Sequence, residues 1–207
     1  MQAVRLQKIL PEFRGRVRYR VRAFPLEIAG DEGPAPRDIL RQEWWLAAIQ
    51  EPEAKFVPYQ GDDWPTTTLP AFDAAWCAAR QGEELALTYD LAIRRAFFAE
   101  SRNIGRREVL LALAEETGLD LPRFTRDLDS GAARAAVLEE LRVGQERYHV
   151  RGTPTLMLAD GTKVRPPIAF PVMRERTVVA VGRLPCHGAG CLDATRALFT
   201  RALEPPA

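Results

Sequence analysis

Hydrophobic and polar residues alternate along RVRYRVRAF at residues 16–24. Val17, Tyr19 and Val21 fall on one side of an extended chain, because successive side chains of a strand point to opposite faces. The other side carries five arginines: Arg14, Arg16, Arg18, Arg20 and Arg22. The pattern predicts an edge strand near residues 16–24 whose charged face keeps other strands from pairing with it, and an anion-binding stripe is the alternative.

Helical periodicity dominates the middle of the chain, where apolar positions return every three or four residues. Four prolines and one glycine in EPEAKFVPYQGDDWPTTTLP indicate a long irregular connection within it. We predict helices over residues 3–10, 37–50, 69–81, 83–100, 105–117 and 132–148. The middle region contains all four tryptophans, Trp44, Trp45, Trp64 and Trp76. We interpret these tryptophans as core residues, with a hydrophobic groove facing a substrate as the alternative.

The C-terminal third returns to strand patterns. Asp160-Gly161 is a strong signal for a tight turn, and it predicts a hairpin with strands near 155–159 and 162–165. RPPIAFP looks irregular, TVVAVG is consistent with a short last strand, and CLDATRALFTRAL has the periodicity of a closing helix.

Strand signals at both ends therefore flank a helical middle. This layout predicts one α/β domain, formed by residues 1–30 and 148–207, that is interrupted by a helical insertion over residues 31–147.

Charge gives no global attraction to a polyanion, since 29 basic residues face 28 acidic ones and the net charge is +1. We therefore expect neither nucleic acid nor a membrane as a partner. The first residues lack the apolar core of a secretory signal, and no later stretch is long and apolar enough to span a bilayer. We expect a soluble, cytoplasmic protein.

The closely spaced pair Cys186 and Cys191 is the main chemical candidate. CHGAGC separates the two cysteines by a turn whose glycines let the chain bring both sulfur atoms together. The start of the last helix favours a thiolate at Cys191, and His187 offers a proton or a nearby positive charge. We name Cys186, Cys191 and His187 as candidate catalytic residues, with unreactive thiols or a metal site as alternatives.

A metal site finds little further support in the sequence. Zinc would need two more ligands, and only Cys77 and His149 remain as soft donors. We expect Cys77 to be a small buried hydrophobe and His149 to sit at a helix C-terminus. The sequence therefore predicts no metal and no cofactor.

Four segments taken together resemble the DsbA-like thioredoxin-fold oxidoreductases, especially the FrnE-like branch. They are LPEFRGRVRYRVRAFPLE, DDWPTTTLPAFDAAWCAARQG, AFFAESRNIGRREVLLALAEETGLD and HVRGTPTLMLADGT. The resemblance implies a thioredoxin-like α/β fold with a large helical insertion and thiol–disulfide exchange with protein or peptide substrates. It also implies that Thr153 and Pro154 form the substrate-binding loop, with a cis peptide bond before Pro154.

The chain departs from this family at its beginning. The family's C-x-x-C motif lies at the start of the first helix, after the first strand, and residues 3–10 resemble only the remainder of that helix. We expect the first strand and the motif to be missing from this chain, so that either an upstream extension supplies them or the protein is a motif-less variant. For a true start at Met1, we expect a homodimer or a larger assembly that covers the exposed strand edges, or else a poorly stable chain.

Three functions remain open from the sequence. The leading one is protein disulfide oxidoreductase activity, with Cys186 and Cys191 carrying the exchange. A glutathione-dependent isomerase of the 2-hydroxychromene-2-carboxylate isomerase type shares the fold and the insertion, which makes glutathione an alternative partner. The third is a catalytically inert thioredoxin-fold module that binds extended peptides.

Overall fold

The computed structural model describes residues 1–30, 36–175 and 177–203. The chain divides into two compact units, each built from separate stretches of sequence. The first unit comprises Met1–Tyr19, Pro36–Phe56 and Gly152–Ala207, and the second comprises Arg20–Ala35 and Val57–Arg151. Residues 36–56, which the sequence analysis assigned to the insertion, thus group with the first unit. The division reflects which residues pack together and does not show where an insertion begins or ends. The insertion boundaries therefore stay a prediction.

The first unit combines helices with two small antiparallel hairpins. Its helices are α1 (Gln2–Ile9), α3 (Arg37–Gln50) and α9 (Ala189–Arg201), and its strands are β1 (Leu156–Met157), β2 (Lys163–Val164), β3 (Pro171–Arg174) and β4 (Thr177–Val181). Two short 3-10 turns, Leu10–Phe13 and Pro52–Ala54, follow α1 and α3. β1 pairs with β2 and β3 pairs with β4, in two separate sheets within the described residues.

An apolar cluster joins the two ends of the first unit's sequence. Leu6, Ile9 and Phe13 pack with Phe199 of α9. The Phe13 and Phe199 ring centroids lie 5.4 Å apart, and Tyr19 contacts Phe199 from 6.0 Å. The C-terminal part of α9 is therefore held against α1 by side chains that do not depend on the cysteines.

The second unit is helical. Its helices are α2 (Leu26–Ala29), α4 (Leu69–Ala79), α5 (Glu83–Phe98), α6 (Arg107–Glu116), α7 (Leu121–Asp129) and α8 (Ala132–Glu146). Tyr89 lies fully buried at its centre, with its hydroxyl donating to the Leu110 carbonyl at 2.9 Å and its ring edge-on to Phe124 at 5.3 Å. Because the hydroxyl has a partner, the aromatic ring can be buried without an unsatisfied polar atom.

The helix predictions agree with the structure to within a few residues at each end. The hairpin at Asp160-Gly161 is also confirmed, although it is shorter than predicted, with Leu156 opposite Val164 and Met157 opposite Lys163. The last predicted strand corresponds to β4. No described helix is both long and apolar enough to cross a membrane.

The predicted strand at residues 16–24 is wrong, because residues 17–24 join no sheet. A carboxylate of α8 takes the place of a partner strand there: Glu140 accepts from the Ala23 N–H at 2.6 Å and from Arg22 at 2.7 Å. RPPIAFP is likewise not irregular to its end, since Pro171 begins β3 and pairs with Val181.

Candidate functional site

A disulfide joins Cys186 and Cys191, whose Cα atoms lie 5.0 Å apart. Cys186 belongs to the loop before α9 and is half-buried, whereas Cys191 is the third residue of α9 and only 2% exposed. The two bonded cysteines therefore differ in exposure as residues.

Glycine makes the turn between the two cysteines. Gly188 is the N-terminal cap of α9 and has φ +50°, a conformation that residues with a Cβ atom seldom adopt. The Gly190 N–H donates to the His187 carbonyl and the Cys191 N–H to the Gly188 carbonyl, both at 3.0 Å. These bonds start the helix at Ala189 and leave Cys191 in its first turn, where the helix dipole favours a thiolate. His187 is exposed in the same turn.

A buried arginine lies behind Cys186. Arg5 of α1 is 1% exposed, and its Nη1 donates to the Pro167 carbonyl oxygen at 2.9 Å. The same carbonyl oxygen lies 3.7 Å from Cys186 Sγ. Arg5 also binds the Glu51 carboxylate through Nε at 3.0 Å and the Gln50 carbonyl through Nη2 at 3.1 Å. Each of the three guanidinium nitrogens therefore has a hydrogen-bond acceptor, which offsets the high cost of burying the Arg5 charge.

The sequence analysis missed this arginine as part of the site. The available signal is its place in α1, because Arg5 lies four residues before Ile9 on the helix face that is buried. A charged residue on a buried stripe indicates a specific partner, but the partner at Pro167 is 162 residues away in sequence and could not be identified from the pattern.

Thr153 and Pro154 lie in a separate loop of the same unit, just before β1. The Thr153–Pro154 peptide bond is cis, as predicted. Thr153 is exposed and Pro154 half-buried, and the Thr155 hydroxyl donates to the Gly152 carbonyl at 2.7 Å across the turn. The loop thus places an exposed residue, Thr153, at the entrance to the hairpin.

The remaining soft side chains lie in the second unit. Cys77 is completely buried in α4, and burial, reinforced by Asp127 and Asp73, raises the pKa of its thiol to about 12. His149 has φ +49° and lines a cavity of about 420 Å³ together with Phe24, Gln145 and Arg151. Across the described parts of the chain, no group of three or more His, Cys, Asp or Glu side chains is arranged to hold a metal.

Curated relatives match part of this chain. The ClpXP adapter protein SpxH of Bacillus licheniformis is 32% identical over 104 residues, which cover 47% of this chain and 34% of the relative. The uncharacterized protein YwbO of Bacillus subtilis is 32% identical over 72 residues, or 35% of this chain and 36% of the relative. The chain therefore spans about a third of the length of these relatives.

Two solved structures share the fold over most of the chain. A putative protein disulfide isomerase from Nitrosomonas europaea superposes with a TM-score of 0.68 at 19% identity, covering 97% of this chain and 89% of that one. The cytosolic disulfide reductase DsbM from Pseudomonas aeruginosa gives a TM-score of 0.55 at 21% identity, covering 97% and 91%. At these identities the likeness establishes a thioredoxin-like fold.

A match to a protein-family model identifies the family of this chain. The thioredoxin family model matches residues 47–167, more than half of the chain, and this stretch includes Thr153 and Pro154. The predicted resemblance is confirmed at the level of family and fold, while the FrnE-like branch stays a prediction. This chain belongs to the thioredoxin family.

Proposed function

We propose that this protein is a thiol–disulfide oxidoreductase that exchanges disulfides with protein or peptide dithiols. The observation that carries the proposal is the Cys186–Cys191 disulfide, placed at the start of a helix with Cys186 half-buried and Cys191 buried, in a chain of the thioredoxin family. Membership of a DsbA-like group and a cytoplasmic location are part of the proposal. The fold shared with a cytosolic disulfide reductase and a putative disulfide isomerase supports both.

Access to the sulfur atoms sets the order of the exchange. A substrate thiolate must approach a sulfur atom along the disulfide bond, and Cys191 is too buried to be reached. Attack therefore falls on Cys186 Sγ. A new bond forms between the substrate sulfur and Cys186, the Cys186–Cys191 bond breaks, and its electron pair leaves on Cys191 Sγ.

The second step releases the oxidised substrate. A second thiolate of the substrate attacks the substrate sulfur of the mixed disulfide, and Cys186 leaves as a thiolate that then takes a proton. Two electrons pass from the substrate dithiol to the cysteine pair, and one substrate disulfide forms for each pair reduced. The same steps in reverse reduce a substrate disulfide.

Three further residues have proposed roles. His187, exposed in the turn between the two cysteines, exchanges a proton with the departing sulfur or places a positive charge near it. Thr153 and Pro154 bind the substrate backbone, a role supported by the exposure of Thr153 and by the family match that includes both residues. No cofactor takes part in the proposed exchange.

Dithiol oxidation by the purified chain, with oxidised glutathione as terminal oxidant, tests the proposal. We expect Cys186→Ser to abolish catalysed oxidation of a peptide dithiol, because the attacked sulfur is gone. Cys77→Ala is the matched control, since Cys77 is buried in the other unit, and we expect it to keep the activity. Equal rates for the wild type and Cys186→Ser would remove the pair from catalysis.

A catalytically inert peptide-binding module is the second candidate. Exposed apolar side chains in the first unit favour it, with Trp45 65% exposed, Phe170 51% and Val179 50%. The relatives named ClpXP adapter proteins also fit a binding role. This candidate is favoured over the first if peptide binding persists in Cys186→Ser while the wild type shows no dithiol oxidation.

A further inference from the structure

The Pro167 carbonyl contacts the cysteine pair in a way that distinguishes its two redox states. Its oxygen lies 3.7 Å from Cys186 Sγ, which is within reach of a hydrogen bond to sulfur. A disulfide sulfur has no hydrogen to donate, whereas the reduced thiol has one. The carbonyl therefore accepts an S–H hydrogen bond only after Cys186 has been reduced.

This carbonyl is fixed before reduction occurs. Arg5 Nη1 donates to it at 2.9 Å, and Arg5 is itself held by Glu51 and by the Gln50 carbonyl. The Gln50 side-chain amide also bonds the Ala169 backbone on both sides, at 3.0 Å to the carbonyl and 2.8 Å to the N–H. The segment that carries Pro167 is thus attached to the end of α3, and the acceptor needs no ordering when the thiol forms.

Cys191 also favours the reduced pair. As the third residue of α9 it lies in the first helical turn, where the dipole stabilises a thiolate and does nothing comparable for a neutral disulfide. Both sulfur atoms therefore have surroundings that suit the dithiol form. A pair whose reduced form is stabilised is a stronger oxidant of other dithiols.

We propose that Arg5 is a positioning residue which, through the Pro167 carbonyl, stabilises the reduced Cys186–Cys191 pair and makes it an acceptor of electrons from substrate dithiols. This inference rests on the proposed function for the identity of the exchanging pair. The inference adds the direction of electron transfer. The substrate is a dithiol that is oxidised to a disulfide, and Cys186 and Cys191 are reduced to thiols.

The redox equilibrium of the pair with reduced and oxidised glutathione tests the proposal. We expect Arg5→Met combined with Glu51→Gln to shift the equilibrium constant towards the disulfide by roughly threefold to tenfold, the range for loss of one hydrogen bond. A tenfold change corresponds to about 30 mV for a two-electron couple. Removing both members of the buried pair leaves no unpaired charge in the interior, so we expect the double variant to fold.

Two control variants separate positioning from general stability. Glu51→Gln alone keeps Arg5, its bond to Pro167 and an amide oxygen in place of the carboxylate. We expect this control to unfold at a lower temperature, because the Arg5 charge loses its counterion, but to keep an equilibrium constant within about twofold of the wild type while it is folded. Arg134→Met combined with Asp73→Asn removes an ion pair of the second unit, where the two groups approach to 2.6 Å, and we expect no redox shift. An equal shift in this control would overturn the proposal.

The S–H stretching band of Cys186 gives a readout that a purely structural role would not move. In a Cys191→Ser background with Cys77→Ala, Cys186 is the remaining thiol, and we expect its infrared band at lower frequency than in the same protein with Arg5→Met and Glu51→Gln. Identical bands in two folded proteins would overturn the proposal. Neither measurement requires catalysis, so failure of the proposed function would show separately, as absent dithiol oxidation by the wild type.

Discussion

Cys186 and Cys77 differ in burial and therefore in expected reactivity. Cys186 is half-buried in a loop, whereas Cys77 is completely buried in α4. A thiol reacts through its thiolate, so the raised pKa of Cys77, about 12, keeps that residue neutral and unreactive in the folded protein. The sequence analysis anticipated this contrast from the apolar surroundings of Cys77 and the glycine-rich turn beside Cys186.

Alkylation of the reduced protein measures this difference. We expect iodoacetamide to modify Cys186 readily at mildly alkaline pH and to leave Cys77 unmodified until the protein unfolds. Because burial raises the pKa of Cys77 to about 12, its thiol stays almost entirely protonated at mildly alkaline pH, and we expect no modification of Cys77 in that range. Modification of Cys77 at the rate of Cys186 in native protein would contradict the assignment.

Single elements depend on local signals that vary in strength. The α7 helix was not predicted, although Asp120 is a good N-terminal cap and accepts from the Arg123 N–H at 3.0 Å. Pro122 in the first turn is a second signal for the same helix start. Although α7 has only nine residues, its apolar positions Leu121, Phe124 and Leu128 return at helical spacing, so the sequence carried enough signal for this helix, which the prediction missed.

The Asp120 cap gives a direct test of element stability. We expect Asp120→Ala to lower the free energy of unfolding by about 1 kcal/mol, since one helix N–H loses its acceptor. The bonds between Asp120 and Gln81 use the Asp120 backbone and persist in the variant. Asp120→Asn keeps an acceptor and should unfold close to the wild-type temperature; an equal loss in both variants would mean that the cap contributes nothing specific.

The sequence pattern misjudged two strand segments, one because its backbone partner is remote in sequence and one because the strand begins with proline. RVRYRVRAF has the alternation of a strand, but the Ala23 N–H donates to the Glu140 carboxylate and not to a neighbouring strand. Pro171 looks like a strand breaker, yet it begins a hairpin strand opposite Val181. The site divides in the same way: the cysteine pair was visible in CHGAGC, whereas the Arg5–Pro167 contact depends on the tertiary fold.

At the scale of the whole molecule, exposed apolar side chains point to association. In α3, Trp45 and Ile49 are four residues apart on one helix face and are 65% and 47% exposed, so the interpretation of Trp45 as a core residue is wrong. The hairpin formed by β3 and β4 adds Val172 and Val179 at 49% and 50%. Such side chains in one compact unit are typical of a surface that contacts another protein or a second copy.

Sedimentation of the purified chain tests self-association. We expect a homodimer that dissociates in Trp45→Glu, because a buried carboxylate would oppose contact between apolar surfaces. Leu138→Glu alters a side chain of similar exposure, 44%, in the second unit and should leave the dimer intact. A wild-type monomer at all concentrations would contradict the dimer and leave Trp45 free for a peptide.

The Cys186–Cys191 bridge closes a very short ring, spanning five positions in sequence. The unfolded chain loses little freedom on closing so small a loop, and the stabilisation expected from chain entropy is about 2 kcal/mol. Meanwhile α9 is anchored to α1 by Phe199 and Leu192, which make no use of the bridge. Opening the bridge should therefore cost the first unit little of its structure, and we expect the disulfide and dithiol forms of the protein to share one fold.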